Sequence, residues 1–249
     1  MRKAVRFSTA MVAAILVAST LSARQFSRGY ELEFIQSSGT QFIETGVTPD
    51  KNTRTVIDMI CFSTVKNAGL FGIENLGISY SMYRNTGTPA GWGMTHRDGS
   101  GDWQYSGHPA DTARHVFDFN RYIAASNAYF LVYDDQKPYT RFTGTITKTG
   151  SASIHLGGRR TSGGAPGNIS THRFYSCRIY NGDTLVRDLV PWVSHAGATG
   201  LWDRVNGNLR QCPAPITPGY SGGQIVTNRV YFFSEWEDKC SSSPASFAS

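Results

Sequence analysis

A cluster of aromatic and polar side chains between positions 92 and 105 has the residue types that recognise sugars. Trp92, His96, Trp103 and Tyr105 lie close together in a glycine-rich segment. Aromatic faces stack on sugar rings, and a few polar groups orient the hydroxyls. We therefore take these four residues as candidates for ligand binding. The competing interpretation is that Trp92 and Trp103 face the core as a cross-strand pair, the commoner fate of tryptophan in a β-sandwich.

Acidic residues in the same segment raise the question of calcium. Asp98 and Asp102 lie in turns, and Asp134 and Asp135 form a second acidic pair. Calcium takes carboxylate and carbonyl oxygens as ligands, but aspartate is also a common turn former. Calcium therefore stays open as a ligand of Asp98 and Asp102, and no other cofactor is expected. The histidines show no zinc-ligand spacing among themselves or with the cysteines.

Catalytic chemistry has weaker support. Glycoside hydrolysis needs two carboxyl groups about 5 to 9.5 Å apart, which strand neighbours two residues apart can supply. Glu31 and Glu33 have that spacing, as do Glu235 and Glu237, but neither pair belongs to a recognisable catalytic motif. A nucleophile-elbow pattern is also missing from the sequence. The chain is predicted not to be an enzyme.

The N-terminus reads as an export signal over residues 1–23. Arg2, Lys3 and Arg6 precede an apolar run over residues 8–21, and small residues follow it. Removing those three basic residues lowers the net charge from +6 to +3. The remaining Lys and Arg are scattered, so no nucleic-acid partner is expected. No later segment reaches a membrane-spanning length. The predicted location is secreted, either extracellular or periplasmic, with no membrane span after signal removal.

Four cysteines fit an oxidising compartment. Cys61 and Cys177 alternate with apolar residues at strand spacing, which predicts that both face the core, either as free thiols or as a pair. Cys212 and Cys240 bracket a turn-rich C-terminal segment, and we predict a disulfide between them. Such a bridge would constrain the unfolded chain by about 3.5 kcal/mol in the entropy model.

The elements that must position these residues are short strands. Alternating apolar and polar residues are separated by Gly, Asn, Asp and Pro, which is an all-β pattern. Tight turns are predicted at residues 98–101, 181–183 and 206–208. More than ten strands imply two stacked sheets. The candidate strands are residues 30–34, 53–62, 70–73, 78–83, 91–96, 103–105, 115–119, 129–133, 142–146, 153–156, 174–180 and 185–190.

Three strings carry a family resemblance. They are YELEFIQSSGTQFIETGV at residues 30–47, YSCRIYNGDTLVRDLV at 175–190 and GLWDRVNG at 200–207. Together they resemble the opening and closing motifs of concanavalin A-like, laminin-G-like jelly-roll domains of secreted bacterial and phage proteins. The resemblance implies a single all-β domain, a two-sheet antiparallel jelly-roll sandwich, over residues 30–209. Residues 24–29 would be a short leader, 210–240 a C-terminal extension and 241–249 a disordered tail.

The resemblance implies a fold more than an activity. Members typically serve binding or adhesion, so we expect a secreted, non-catalytic module that recognises a carbohydrate or cell-surface glycan. One alternative is a structural surface or fibre component that uses the jelly roll for protein–protein assembly. A second alternative is a glycoside hydrolase of the laminarinase type, although the spaced triple of acids of that group is missing here.

Overall fold

The computed structural model describes residues 29–87, 90–99, 104–105, 110–120, 128–134, 137–144, 146–162 and 166–211. Only the backbone is described at residues 30, 104–105, 128–134, 137–144 and 166. The predicted signal peptide, most of the short leader and nearly all of the C-terminal extension and tail lie outside these ranges. So do Trp103, Asp102, Asp135, Cys212 and Cys240.

The described ranges contain strands and no helix, as the sequence predicts. No helix there is long and apolar enough to cross a membrane. In chain order the strands are β1 Gly29–Glu31, β2 Ile35–Ser38, β3 Ile43–Glu44, β4 Thr53–Cys61, β5 Ala68–Leu76, β6 Ile78–Asn85, β7 Gly91–Asp98, β8 Gln104–Tyr105, β9 Arg114–Phe119, β10 Ala128–Asp134, β11 Lys137–Gly144, β12 His155–Leu156, β13 Arg159–Arg160, β14 Pro166–Gly167, β15 Thr171–Asn181, β16 Thr184–Ser194, β17 Thr199–Asp203 and β18 Asn208–Arg210.

Two sheets form a sandwich. The large sheet has ten strands in the order β11-β10-β9-β4-β15-β16-β17-β18, with β1 on β16 and β2 on β15. The smaller sheet has eight strands in the order β14-β13-β5-β6-β7-β8, with β12 joining β3 to β5. The strand pairings are antiparallel except for the short contact of β13 with β5. The predicted single-domain, two-sheet jelly-roll sandwich is confirmed.

The core lies between the sheets and follows from alternation along the strands. In β4, Ile57, Met59 and Cys61 point inward and are at most 2% exposed, whereas Arg54 and Asp58 point outward. The rings of Phe71, Tyr80 and Phe119 pack against one another at centroid distances of 4.8 to 6.0 Å. Burial of such side chains contributes about 1.5 to 3 kcal/mol each.

Two polar side chains in the interior form hydrogen bonds that cross from one sheet to the other. The Thr55 hydroxyl on β4 lies 2.9 Å from the Tyr80 hydroxyl on β6. Arg84, also on β6, donates to the carbonyl oxygens of Cys61, Ser63 and Ala110 at 3.1, 3.0 and 3.2 Å. These bonds fix the spacing of the layers, because a buried polar group left unpaired is costly.

The first predicted strand, residues 30–34, is wrong in its boundaries. The chain leaves the edge of β16 after Glu31 and begins a new pairing with β15 at Ile35. The Leu32 amide still donates to the carbonyl of Pro191 at 2.9 Å. Alternation continues through this switch, so the sequence pattern does not reveal it.

Both core-facing cysteines are buried free thiols. In the β4–β15 register, Cys61 pairs with His172 and Cys177 with Ile57. Their positions therefore lie about 13 Å apart along the strands. A disulfide needs Cα atoms about 4.4 to 6.8 Å apart, so the alternative that Cys61 pairs with Cys177 is wrong.

The closing motif builds the β17–β18 hairpin around a buried carboxylate. Asp203 is fully buried and accepts hydrogen bonds from the Asn206 side chain at 2.7 Å and the Val205 amide at 3.1 Å. Arg187 and Arg210 bring their Nε atoms to 3.4 and 3.8 Å from it. Gly182 and Gly207 adopt φ angles of 58° and 63° in the two predicted turns at 181–183 and 206–208, which confirms both turns.

Candidate binding surface

Two of the four predicted stacking residues lie in the core. Trp92 and His96 are each 1% exposed. Trp92 packs edge-on against Phe117 at 5.1 Å, and His96 packs edge-on against Tyr80 at 4.9 Å. On β7 they point between the sheets, so neither ring offers a face to a ligand on the surface. The core interpretation is correct for Trp92.

His96 is also a neutral histidine. Its Nε2 lies 3.3 Å from the Asp50 carbonyl oxygen. Burial lowers its pKa to about 4, against the raising effect of hydrogen bonds to the Asp50 backbone and the Asn120 side chain. The imidazole is therefore uncharged at neutral pH and packs as part of the core.

The other two predicted residues lie beside β7. The backbone of Tyr105 pairs with Gly93, and that of Gln104 with Met94. The Tyr105 side chain and all of Trp103 lie outside the described residues, so their part in binding stays a prediction.

Asp98, the described calcium candidate, clamps a loop. Its carboxylate accepts hydrogen bonds from the Thr147 hydroxyl at 2.6 Å, the Thr147 amide at 3.1 Å and the Lys148 amide at 3.1 Å. Burial would raise the pKa of Asp98, but these bonds outweigh it and hold the pKa below its ordinary value. Within the described ranges no three His, Cys, Asp or Glu side chains come together as a metal site.

A different surface brings aromatic and charged groups together: the outer face of the large sheet. Outward positions of β4, β9 and β15, with the segments before β2 and after β4, supply partly exposed rings among arginines. We call its central members the aromatic–arginine array: Phe34, Phe62, Arg114, Arg173 and Tyr175.

A β-bulge on β15 aims Tyr175 outward. In the pairing with β4, Phe174 lies opposite Met59 and Ser176 opposite Asp58, so Tyr175 has no partner residue. The extra residue keeps Phe174 and Cys177 buried in the core and leaves Tyr175 partly exposed. Bulges commonly re-aim a side chain beside a functional site.

Arg114 covers one side of this ring and is itself held in place. Its guanidinium carbon lies 3.6 Å from the Tyr175 ring centroid. Its Nε and a terminal nitrogen donate to the two oxygens of Asp58 at 2.8 and 2.7 Å. The hydrogen bond to Asp58 is the largest of the effects that raise the pKa of Arg114. Such a fork fixes both orientation and charge.

Phe34 continues the array from Tyr175 to Arg173. The rings of Phe34 and Tyr175 are tilted, with centroids 5.8 Å apart. The Arg173 guanidinium carbon lies 4.5 Å from the Phe34 centroid and 5.3 Å from that of Phe62. Arg173 also donates from Nε to the Gln36 side-chain oxygen at 2.6 Å. These contacts hold the guanidinium in one position.

A second bidentate arginine–aspartate pair lies on the same face, with the arginine on β4 and the aspartate on β9 instead of the reverse. Arg54 on β4 donates to both oxygens of Asp118 on β9 at 2.7 Å, and its guanidinium carbon lies 5.0 Å from the Tyr180 centroid. Both forks join diagonal neighbours of the β4–β9 register, which pairs Val56 with Asp118 and Ile60 with Arg114. Between them lies Val116, an exposed hydrophobic residue.

Sequence reasoning missed this surface although part of its signal is in the sequence. Arg173, Tyr175 and Arg54 are the outward residues of strands whose apolar neighbours are recognisable as core. Tryptophans in a glycine-rich segment stand out in a sequence, whereas rings on the solvent face of a central strand do not.

Comparisons with known proteins add a distant structural likeness. No protein-family model and no curated protein matches the chain. Among solved structures, the crystal structure of a native heptameric SAP-like pentraxin from Limulus polyphemus is similar, with a TM-score of 0.39 and 8% identity over 63% of this chain and 76% of that one.

Proposed function

We propose that this chain is a secreted, non-catalytic binding module that recognises a glycan through the outer face of its large sheet. The observation that carries the proposal is the aromatic–arginine array, in which three rings and two guanidinium groups interlock on a solvent-facing surface. The export signal read at residues 1–23 supports secretion.

The array has the composition that sugar recognition needs. Partly exposed rings supply apolar area for the C–H faces of a sugar, and fixed arginine donors and Asp58 oxygens supply hydrogen bonds for hydroxyls. Interlocking reduces the entropy lost on binding, because the side chains are already held in their positions.

The carboxylates near the array support a non-catalytic role. Glycoside hydrolysis needs one protonated acid beside one free carboxylate. Asp58 and Asp118 each accept two arginine hydrogen bonds, and the Glu31 carboxylate lies 2.6 Å from Arg204. These three carboxylates are thus held by arginines, and the exposed Glu33 acts on Arg114 through its charge.

Glycan-array binding of the exported chain tests the proposal. We expect binding by the wild type, a loss of at least tenfold for Tyr175→Ala and near-retention for Tyr175→Phe, which keeps the ring. Val205→Ala is the matched control, since Val205 is 44% exposed in the β17–β18 turn. Circular dichroism of each variant separates lost binding from lost folding.

Two results would contradict the proposal. One is equal binding by the wild type and a folded Tyr175→Ala variant. The other is no glycan binding together with self-association of the wild type that Tyr175→Ala abolishes, because the array would then be a protein–protein assembly interface.

A further inference from the structure

We infer that the aromatic–arginine array takes an acidic glycan, one bearing a carboxylate or sulfate group, and that Arg173 is the residue that binds the acidic group. The inference rests on the proposed function, because it names the class of glycan for the same surface.

Among the described residues, Arg173 has no carboxylate partner, in contrast to Arg114, the other arginine of the array. Arg114 is neutralised by Asp58 at 2.7 Å. Within the part of the chain that the structure describes, Arg173 donates one hydrogen bond, from Nε to the side-chain oxygen of the neutral Gln36 amide. Within the described residues it forms no ion pair, so both terminal nitrogens remain available as donors.

The neighbours of Arg173 explain why its charge stays uncompensated. In the register it pairs with Gln36 on β2 and with Ile60 on β4, neither of which is acidic. Its ring contacts are with Phe34 and Phe62. The nearby carboxylate on β4, Asp58, is already bound at both oxygens by Arg114. Glu33, next to Phe34, acts on Arg114 through its charge, and the described residues show no ion pair between a carboxylate and Arg173. The charge of Arg173 is therefore uncompensated at its own position.

The geometry around Arg173 also pre-orients its donor fork. Two rings and the Gln36 hydrogen bond fix the guanidinium on three sides. A guanidinium fixed in this way binds a planar carboxylate or a sulfate through two parallel hydrogen bonds. A lysine at the same site would supply the positive charge but not the two parallel hydrogen bonds. A neutral sugar would leave the donors with only hydroxyl acceptors.

The experiment compares matched oligosaccharides that differ only by a sulfate or a terminal carboxylated sugar. We expect the wild type to prefer the acidic member by about tenfold, the ratio that corresponds to about 1.4 kcal/mol. Arg173→Gln should abolish the preference, because acidic binding should fall about tenfold further than neutral binding. Arg173→Lys should retain only part of the preference. Raising NaCl should reduce the preference and spare neutral binding.

Arg178→Gln is the matched control, because Arg178 is an exposed, outward arginine on the same strand and lies outside the array. It should leave the acidic preference unchanged. Equal binding of acidic and neutral members by the wild type would overturn this inference and leave the proposed function intact. An equal fold loss for both members with Arg173→Gln, in a folded variant, would also overturn it, because the acidic preference would then not depend on Arg173. An acidic preference lost equally with Arg178→Gln would overturn it as well.

Discussion

Arg114 makes a bidentate ion pair with Asp58 while its guanidinium carbon lies 3.6 Å from the Tyr175 ring centroid. One side chain thus joins β9, β4 and the bulge of β15. The bulge turns Tyr175 to the solvent face, and Arg114 covers one side of its ring in the proposed binding surface.

A double-mutant cycle should measure the ion pair in that contact. We expect Arg114→Ala and Asp58→Ala to be coupled by about 0.5 to 1 kcal/mol in urea unfolding, since the Arg114 side chain is half exposed. The coupling should shrink in high salt. If the two substitutions are additive to within experimental error at low salt, the pair does not stabilise the face.

Substitution of the buried Asp203 should lower the free energy of unfolding far more than loss of the Arg114–Asp58 pair. Asp203→Ala removes the acceptor of two turn hydrogen bonds and leaves Arg187 and Arg210 facing each other without it. We expect a loss of about 3 to 5 kcal/mol in the free energy of unfolding. Asp183→Ala, in the exposed β15–β16 turn, is the control and should stay within about 0.5 kcal/mol. A small loss for Asp203→Ala would show that the hairpin does not depend on it.

Stability should fall on acidification between pH 6.5 and 4. Burial lowers the pKa of both His96 and His172 to about 4. These histidines therefore bind protons near pH 6.5 in the unfolded chain but only near pH 4 in the folded chain. Between these two values each histidine changes the free energy of unfolding by up to about 1.4 kcal/mol per pH unit. Urea unfolding at pH values from 7 to 5 measures this pH dependence of the free energy of unfolding.

Replacing one of these histidines should flatten the pH dependence. His96→Gln keeps a polar group in the interior without the titration, so the slope should decrease by up to about 1.4 kcal/mol per pH unit. Val205→Ala, at an exposed turn position, is the control and should not change the slope, because it removes no titrating group. An unchanged slope in a folded His96→Gln variant would mean that His96 is already protonated or solvated in the native state.

The free thiols give a test of the cysteine assignment. Burial raises the pKa of both Cys61 and Cys177, so neither should react with a thiol reagent in the native protein. In urea without reductant we expect two labelled cysteines in the intact mass, and peptide mapping should identify them as Cys61 and Cys177. Four labels would contradict the predicted disulfide between Cys212 and Cys240.

The fold was predictable because its signal is local. Alternation in residues 53–62 places Ile57 and Met59 inside, and Gly182 and Gly207 supply the positive φ of two turns. The β-bulge at Tyr175 was not predictable, since one extra residue depends on which strand β15 pairs with. The strand switch after Glu31 was missed for the same reason.

The site was harder to predict because side-chain identity does not reveal exposure. Trp92 and His96 are types found in sugar sites, yet the pairing of β6 with β7 turns both into the core. The ring contacts of Arg173 join segments far apart in sequence, at Phe34 and Phe62. Only the three-dimensional register brings them together.

Arginine side-chain NMR tests the binding surface most directly, because it needs no substitution. The Nε–H signals of the purified protein would be followed during titration with an acidic oligosaccharide selected on the glycan array. We predict that the Arg173 and Arg114 signals shift in a saturable manner. The Arg187 signal should not shift, because Arg187 lies outside the array and its Nε donates to the Thr45 carbonyl oxygen at 2.9 Å. Saturable shifts at Arg187 with Arg173 and Arg114 unmoved would contradict the outer face as the site of recognition.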